Sequence, residues 1–281
     1  MKIFNNKAEL TAYLATFLAS KKTIGFVPTM GALHKGHLSL IETALQNNDL
    51  AVMSIFVNPT QFNNPEDLKK YPRTLETDVE KIKTISDKVI VYAPTVDDIY
   101  EGKTVSKKYK FDGLEHQMEG KFRPGHFDGV GTVVQKLFEI VKPTNAYFGE
   151  KDFQQLQIIK KLVSKYKIVV TVHGCSIFRE ENGLAMSSRN ERLSKIEREN
   201  TKIIFETLTK AKQLFGTKSA SEVTDFVTKT FENNKMFTLE YFTIASENSL
   251  KTCFRKNKSH NYRGFIAVFV NSVRLIDTIA F

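Results

Sequence analysis

Two histidines, His34 and His37, stand three residues apart in the stretch 24–41, IGFVPTMGALHKGHLSLI. At that spacing two side chains can share one side of a helical turn, and the residues around them read as a strand, a turn and the start of a helix. Pro28 fixes φ and has no N–H, and Gly31 permits backbone angles closed to other residues. Gly36 sits where the helix would begin, ahead of the periodic Leu38, Ile41, Ala44 and Leu45. The first turn of a helix leaves N–H groups unpaired at the positive end of the dipole, so imidazoles beside it complement a bound anion. A phosphate group is the expected ligand. On the motif alone two plainer readings stay open, a surface or capping histidine and half of a metal site.

Such a turn needs a sheet to aim it. Ile24, Phe26 and Val27 read as the end of a buried parallel strand, and residues 50–57, LAVMSIFV, as a strand covered on both faces. A helix is expected over 7–19. Residues 58–73, with three prolines and no apolar period, read as an active-site loop. Then come a helix over 75–85, a strand over 88–93, a polar segment to Gly120, a helix over 127–141 ended by Pro143, a strand over 146–148, a helix over 154–164 and a strand over 168–172. This alternation predicts an α/β fold with a doubly wound parallel sheet, whose ligands sit at the carboxyl ends of the strands. The unusual residues fall there: His34 and His37 after the first strand, Asn58 and Gln61 after the second, Gly149 to Asp152 after a later one.

Past residue 176 the pattern changes. The loop 182–190, NGLAMSSRN, precedes helices expected over 195–215 and 221–233 and strands over 238–245, 264–270 and 273–280. These predict a smaller C-terminal α+β domain closing over the first, with the division at residues 1–176 and 177–281.

Composition excludes several classes. With 281 residues, 41% hydrophobic and 26% charged, the chain can bury a substantial core and is globular in composition. No apolar run reaches the roughly 18 to 20 residues that cross a bilayer. Residues 10–19 are interrupted by Thr11, Tyr13 and Thr16 and read as an amphipathic helix rather than a signal peptide. Cys175 and Cys253 form no metal or redox motif and fit a reducing compartment, so a cytoplasmic location is expected. The net charge is +10, with 27 Lys and Arg against 22 acids in residues 1–193 and 14 against 9 in residues 194–281. Nucleic-acid binders concentrate such an excess on one face or tail, whereas here it is spread out. The acid-free run of Lys251, Arg255, Lys256, Lys258 and Arg263 reads as a solvated loop, since only Phe254 and Tyr262 stand near it to stack on bases. Neither a nucleic-acid nor a membrane partner is expected.

Six segments, PTMGALHKGHLSLI, SIFVNPTQF, YPRTLETD, EGKFRPGHFDGV, YFGEKDFQQL and GLAMSSRN, occur in an order and spacing that closely resembles the pantothenate synthetase (pantoate–beta-alanine ligase) family. The match covers residues 23–193, and the last third matches in length and in its ending, RLID. The resemblance implies a two-domain enzyme, usually a homodimer, with a Rossmann-like nucleotidyltransferase domain. It also implies a reaction in two halves: ATP and (R)-pantoate give pantoyl adenylate and pyrophosphate, then beta-alanine attacks to give pantothenate and AMP.

That chemistry suits the residues. A carboxylate is a poor electrophile, and adenylation supplies a leaving group; the protein must position anions and neutralise charge as pyrophosphate departs. The resemblance assigns ATP to Met30, Gly31, Ala32, Leu33, His34, Lys35, Gly36 and His37, to Gly149, Glu150, Lys151 and Asp152, and to Met186, Ser187, Ser188 and Arg189. Among these, His37 donates to the reacting phosphate with His34 beside it, and Lys151 meets the β and γ phosphates. The Ser187 and Ser188 hydroxyls and the Arg189 fork hold pyrophosphate from a mobile loop. Plainer alternatives are a surface ion pair of Lys151 with Glu150 or Asp152, and SSRN as a helix cap before Glu191. Gln61 and Gln155 match the pantoate-binding glutamines, with Asn58 and Tyr71 as further substrate residues and Phe62 and Val134 as apolar wall. Gly149 and Asp152 match the residues that meet the ribose. Mg²⁺ accompanies ATP without assigned protein ligands; Asp78 either reaches it through water or is a helix N-terminal carboxylate. Arg123 and His126 lie in matching motifs with no role assigned.

The chain departs from the family pattern at Lys35, where acidic or variable residues are common, and at Cys175-Ser176, in place of Val-Pro or Cys-Pro at the expected hinge. Two rival functions stay in view. Another small-molecule nucleotidyltransferase would share the HxxH unit but has no use for the paired glutamines or the YPRT and RPGHFDGV motifs. A basic RNA-binding module would bind RNA in a salt-sensitive way and turn over no ATP.

Overall fold

The computed structural model describes residues 1–232 and 234–281, and the chain divides into two compact units. The first comprises Met1–Glu115, Gly120–Gly149 and Gln155–Cys175; the second comprises His116–Glu119, Glu150–Gln154 and Ser176–Phe281.

In chain order the elements up to residue 175 are β1 (Lys2–Phe4), α1 (Lys7–Ala19), β2 (Ile24–Thr29), α2 (Lys35–Asn47), β3 (Leu50–Ile55), α3 (Pro65–Lys70), α4 (Leu75–Lys83), β4 (Ile90–Tyr92), α5 (Val96–Tyr100), α6 (Met118–Phe122), α7 (His126–Val141), β5 (Asn145–Gly149), α8 (Phe153–Tyr166) and β6 (Thr171–Cys175). The six strands form one parallel sheet in the order β1-β4-β3-β2-β5-β6. Chain order reverses beside β2, so the turn that leaves it lies at the switch point where open α/β sheets bind ligands. Residues of β2 and β3 are apolar because helices cover both faces: Phe26, Val27, Val52 and Met53 have 0% exposure. Each such side chain contributes on the order of 1.5–3 kcal/mol by its burial.

Several elements differ from the sequence reading, each for a local reason. The loop 58–73 contains a 3₁₀ turn, Pro59–Gln61, and α3. Each begins with an Asn-Pro pair in which Asn58 or Asn64 caps the helix, accepting from the Thr60 or Glu66 amide, and the proline occupies the first turn. The strand expected over 168–172 starts at Thr171. Lys167 sits at φ 53 and the Val170 amide bonds back to Ile168, which leaves Val169 94% exposed. The short β1, which pairs with β4, has no counterpart in the sequence reading. α7 ends as expected, at a left-handed Lys142 followed by Pro143.

The second unit is α+β. Its elements are α9 (Lys195–Asn200), α10 (Lys202–Phe215), α11 (Ala220–Glu232), and an antiparallel sheet of β7 (Phe237–Ser246), β8 (Tyr262–Val270) and β9 (Val273–Ala280) in the order β7-β8-β9. The helix expected over 195–215 is interrupted at Thr201, whose hydroxyl bonds the Arg198 carbonyl at 2.6 Å. The expected end of the next helix, Asn233, lies outside the described residues. Leu208, Val223, Val227, Val268 and Val270 form a core with 0% exposure. Residues 116–119 join this unit through Glu119, which accepts from both terminal nitrogens of Arg274 at 2.9 and 2.7 Å and from the Tyr241 hydroxyl at 2.8 Å. Burial, then the Glu119 charge, hold the Tyr241 pKa far above its usual value, so it remains a donor. Arg263, read from sequence as part of a solvated loop, is instead 6% exposed and lies in β8, where two carboxylates bind it.

α7 packs closely on the 59–61 turn: a Cβ on Gly129 would stand 2.3 Å from the Thr60 carbonyl oxygen. Backbone on one side and helix on the other leave no room to relax. Gly129→Ala is therefore expected to destabilise the protein by upward of about 2 kcal/mol, read as a lowered urea midpoint with unchanged slope.

Candidate active site

The turn between β2 and α2 is strained and externally braced. Gly31 and Ala32 have φ of 82° and 51°, the second unusual for a residue with a Cβ. Asp78, in the first turn of α4 and 0% exposed, accepts from the Ala32 amide at 2.9 Å and the Leu33 amide at 2.7 Å. The Thr74 hydroxyl adds a third bond at 3.2 Å, and Lys81 Nζ donates to the Leu33 carbonyl at 2.6 Å. Asp78 is thus a helix N-terminal carboxylate that clamps the turn.

With the turn held, His34 becomes the N-cap of α2 in extended conformation, and the helix starts at Lys35, one residue before Gly36. The first-turn amides of Lys35 and Gly36 have no acceptor within the helix. The His34 amide lies 3.3 Å from His37 Nδ1, and the two rings stack with centroids 4.0 Å apart. A ring nitrogen that accepts a hydrogen bond carries no proton, so this bond assigns neutral His37 as the Nε2–H tautomer. Its remaining donor is Nε2. Both rings are half-buried, while Lys35 is exposed.

Gln61 is held from three sides within the same unit. It is 8% exposed; its Oε1 accepts from Asn58 Nδ2 at 3.0 Å, and its carbonyl lies 2.9 Å from His126 Nδ1. Arg123 in turn lies 3.3 Å from His126 Nε2, so two residues left without a role by sequence brace Gln61. Asn58, 1% exposed, also donates to the Gly129 carbonyl at 3.2 Å and accepts from the Tyr100 hydroxyl at 2.6 Å. Burial raises the Tyr100 pKa against the pull of its bonds to Thr60 and Asn58, which keeps it protonated. Asn58 therefore acts on Gln61 rather than on solvent, and no pattern in the sequence pointed to Tyr100. Among the described residues, Gln61 Nε2 meets only a thioether, Met30 Sδ, at 3.1 Å. Tyr71 is 8% exposed and packs edge-on to Phe62 at 5.7 Å; Val134 is 5% exposed on α7, and Gln155 is half-buried.

Gly149 ends β5, and a Cβ there would meet nothing within 4 Å. The other expected ATP residues belong to the second unit. Glu150, Lys151 and Asp152 form one 3₁₀ turn, in which the Lys151 ammonium lies 3.6 Å from Asp152 and its side chain is 16% exposed. Met186, Ser187, Ser188 and Arg189 are half-buried. Ser187 caps a 3₁₀ turn, Ser188–Arg192, accepting from the Arg189 amide at 3.3 Å. This is the capping reading, and it leaves the hydroxyl proton available, so capping and anion binding are compatible. Arg179 braces the base of the loop with two parallel bonds to Asp277, at 2.6 and 3.0 Å. Burial raises the Asp277 pKa and Arg179 opposes the rise. Among the described residues no group of three or more His, Cys, Asp or Glu could hold a metal ion, and no helix is long and apolar enough to cross a membrane.

Comparison with known proteins finds relatives that match over the whole chain. The family model for pantoate-beta-alanine ligase matches residues 2–280. The pantothenate synthetase of Flavobacterium psychrophilum is 68% identical over 280 residues, covering 100% of this chain and 99% of the relative, and that of Christiangramia forsetii is 51% identical over the same shares. A crystal structure of the enzyme from Thermus thermophilus superposes with a TM-score of 0.91 at 37% identity, covering 99% of each chain. One from Francisella tularensis, complexed with beta-gamma ATP and beta-alanine, gives 0.77 at 36% identity over 100% of this chain and 97% of that one.

Replacing the Asp78 carboxylate by an amide turns one acceptor into a donor facing backbone N–H groups. Asp78→Asn is expected to lower stability by about 2 kcal/mol or more, seen in the urea midpoint, and to weaken amide exchange protection at Ala32 and Leu33.

Proposed function

We propose, from the premise that this chain belongs to the pantoate–beta-alanine ligase family, that it uses ATP to join (R)-pantoate to beta-alanine through a pantoyl-adenylate intermediate, releasing pyrophosphate and then AMP. The observation that carries this reading within the chain is the pairing of a helix N-terminus bearing His37 with the braced amide of Gln61 in one unit. The first suits a phosphate, the second a hydroxy acid.

In this reading the pantoate carboxylate attacks the α-phosphorus in line with departing pyrophosphate. His37 Nε2–H and the Lys35 and Gly36 amides donate to phosphate oxygens on which negative charge develops. Lys151 supplies a mobile positive charge to the β and γ phosphates, and Ser187, Ser188 and the Arg189 fork bind the leaving group. Gly149, with open space at its Cα, and Asp152 receive the ribose. Gln61 Nε2 faces a weak acceptor, so it transfers to a pantoate oxygen at little cost; Gln155 provides the second amide. Asn58, Tyr100, His126 and Arg123 position Gln61. Mg²⁺ enters with the triphosphate: the ion favours phosphate oxygens and retained waters over an all-protein cage. A cytoplasmic homodimer that binds neither nucleic acid nor membrane is the proposed state.

Purified protein with ATP and Mg²⁺ is expected to release pyrophosphate only when pantoate is present, and to form pantothenate only after beta-alanine is added. AMP formation without pantoate would sink this assignment in favour of a different nucleotidyltransferase. His37→Ala is expected to slow adenylation by at least about a hundredfold, the scale for losing one charge-stabilising donor. Gln61→Ala should raise KM for pantoate about tenfold, the equivalent of one hydrogen bond, as steady-state kinetics with each substrate varied would reveal.

A further inference from the structure

Arg263 on β8 is nearly buried between two carboxylates and an aromatic ring. Its side chain is 7% exposed, its Nε donates to Glu247 at 2.8 Å, one terminal nitrogen donates to Glu150 at 3.2 Å, and its guanidinium lies 4.0 Å from the centre of the Phe153 ring. Glu150 and Phe153 flank Lys151 in sequence. All of these residues belong to the second unit.

The carboxylates around Lys151 are divided in a particular way. Glu150, its immediate neighbour, is turned to Arg263. Asp277, whose charge Lys151 feels, is engaged by the Arg179 fork at 2.6 and 3.0 Å. Among the described residues, Asp152 at 3.6 Å is the one carboxylate within ion-pair distance of the Lys151 ammonium. Two arginines thus hold two of the acids around the lysine. A lysine already paired with a neighbouring carboxylate is a poorer partner for a polyphosphate, because the phosphate must then compete for its charge.

We propose that Arg263 is a positioning residue for adenylation: it holds Glu150 away from Lys151, so that the Lys151 ammonium stays available to the ATP polyphosphate. This rests on the reading of Lys151 as a phosphate-binding cation. Arginine suits the task because its planar fork bridges Glu247 and Glu150 while its face stacks on Phe153, an arrangement a lysine cannot reproduce.

The test is pantoate-dependent pyrophosphate release by the full chain with ATP varied, alongside thermal denaturation, for Arg263→Ala, Arg263→Lys, the double variant R263A/E150Q, and Lys151→Ala. Arg263→Ala should raise KM for ATP on the order of tenfold with a smaller change in kcat, and Arg263→Lys should lie between it and the parent. Measured against Glu150→Gln alone as the reference, adding Glu150→Gln to Arg263→Ala should recover most of that KM change, because the competing charge is gone. A merely structural role predicts no recovery, since a further partner in the cluster has been altered. The proposal is overturned by an unchanged KM in Arg263→Ala, or by a double variant no better than Arg263→Ala at equal melting temperature. Should Arg263→Ala fail to fold, Arg263→Lys with and without Glu150→Gln decides by the same criterion. Loss of activity in Lys151→Ala with normal kinetics in the Arg263 variants removes this proposal alone, whereas a fully active Lys151→Ala removes the reading of Lys151 beneath it.

Discussion

A single carboxylate sets the shape on which the rest of the first unit's chemistry depends. Asp78 gathers the Ala32 and Leu33 amides, and only with those two held does the chain leave β2 through two left-handed residues and enter α2 with His34 as its cap. Buried charge is costly unless it is fully hydrogen-bonded, and here the turn supplies the bonds. The interaction runs both ways: the turn needs the acid for its conformation, and the buried acid finds its hydrogen-bond donors in the turn. A conformation that would otherwise cost of order 1–3 kcal/mol is thereby fixed where the helix amides must face a ligand.

The same logic recurs around Gln61. Asn58, Tyr100, Thr60, His126 and the Gly129 carbonyl form a hydrogen-bonded set around Gln61, whose side-chain amide nitrogen faces the weak acceptor Met30. In a low-dielectric interior a completed network is rigid, and the one weak contact marks the atom that can change partners. The first unit therefore presents donors from a helix terminus and from a braced side chain, each held in place by neighbouring side chains. In the second unit arginines play the bracing part, Arg179 for the loop that leads to Ser187 and Arg263 for the turn that includes Lys151.

Much of this was legible in the amino-acid order, and the reasons for the exceptions are physical. The strand-turn-helix unit around His34 and His37 declared itself because proline, glycine and apolar periodicity act locally, and the parallel sheet followed from the alternation of elements. The start of β6 was misplaced because Ile168, Val169 and Val170 are apolar yet shaped by a turn at Lys167. Asn58-Pro59 and Asn64-Pro65 looked like loop punctuation although the same pairs cap and start short helices. The roles of Asp78, Tyr100 and Arg263 depend on partners 42 or more residues away in the chain, at Leu33 and Ala32, at Asn58, and at Glu150. No local pattern encodes such distances, and Arg263, set among exposed lysines, looked like one more of them.

Neither unit is a continuous piece of chain, and this affects how the polypeptide is made. Glu119 emerges from the ribosome 155 residues ahead of Arg274, its charged partner on β9. At ordinary translation speeds that interval is about 8 to 30 s, and throughout it the segment 116–119 has no completed sheet to join. The nascent first unit must reach a tolerable state with that segment still solvated, and the last strand to be synthesised closes the ion cluster. A nonsense or frameshift change at or before codon 274 would thus strand an acidic group laid down near the middle of the chain.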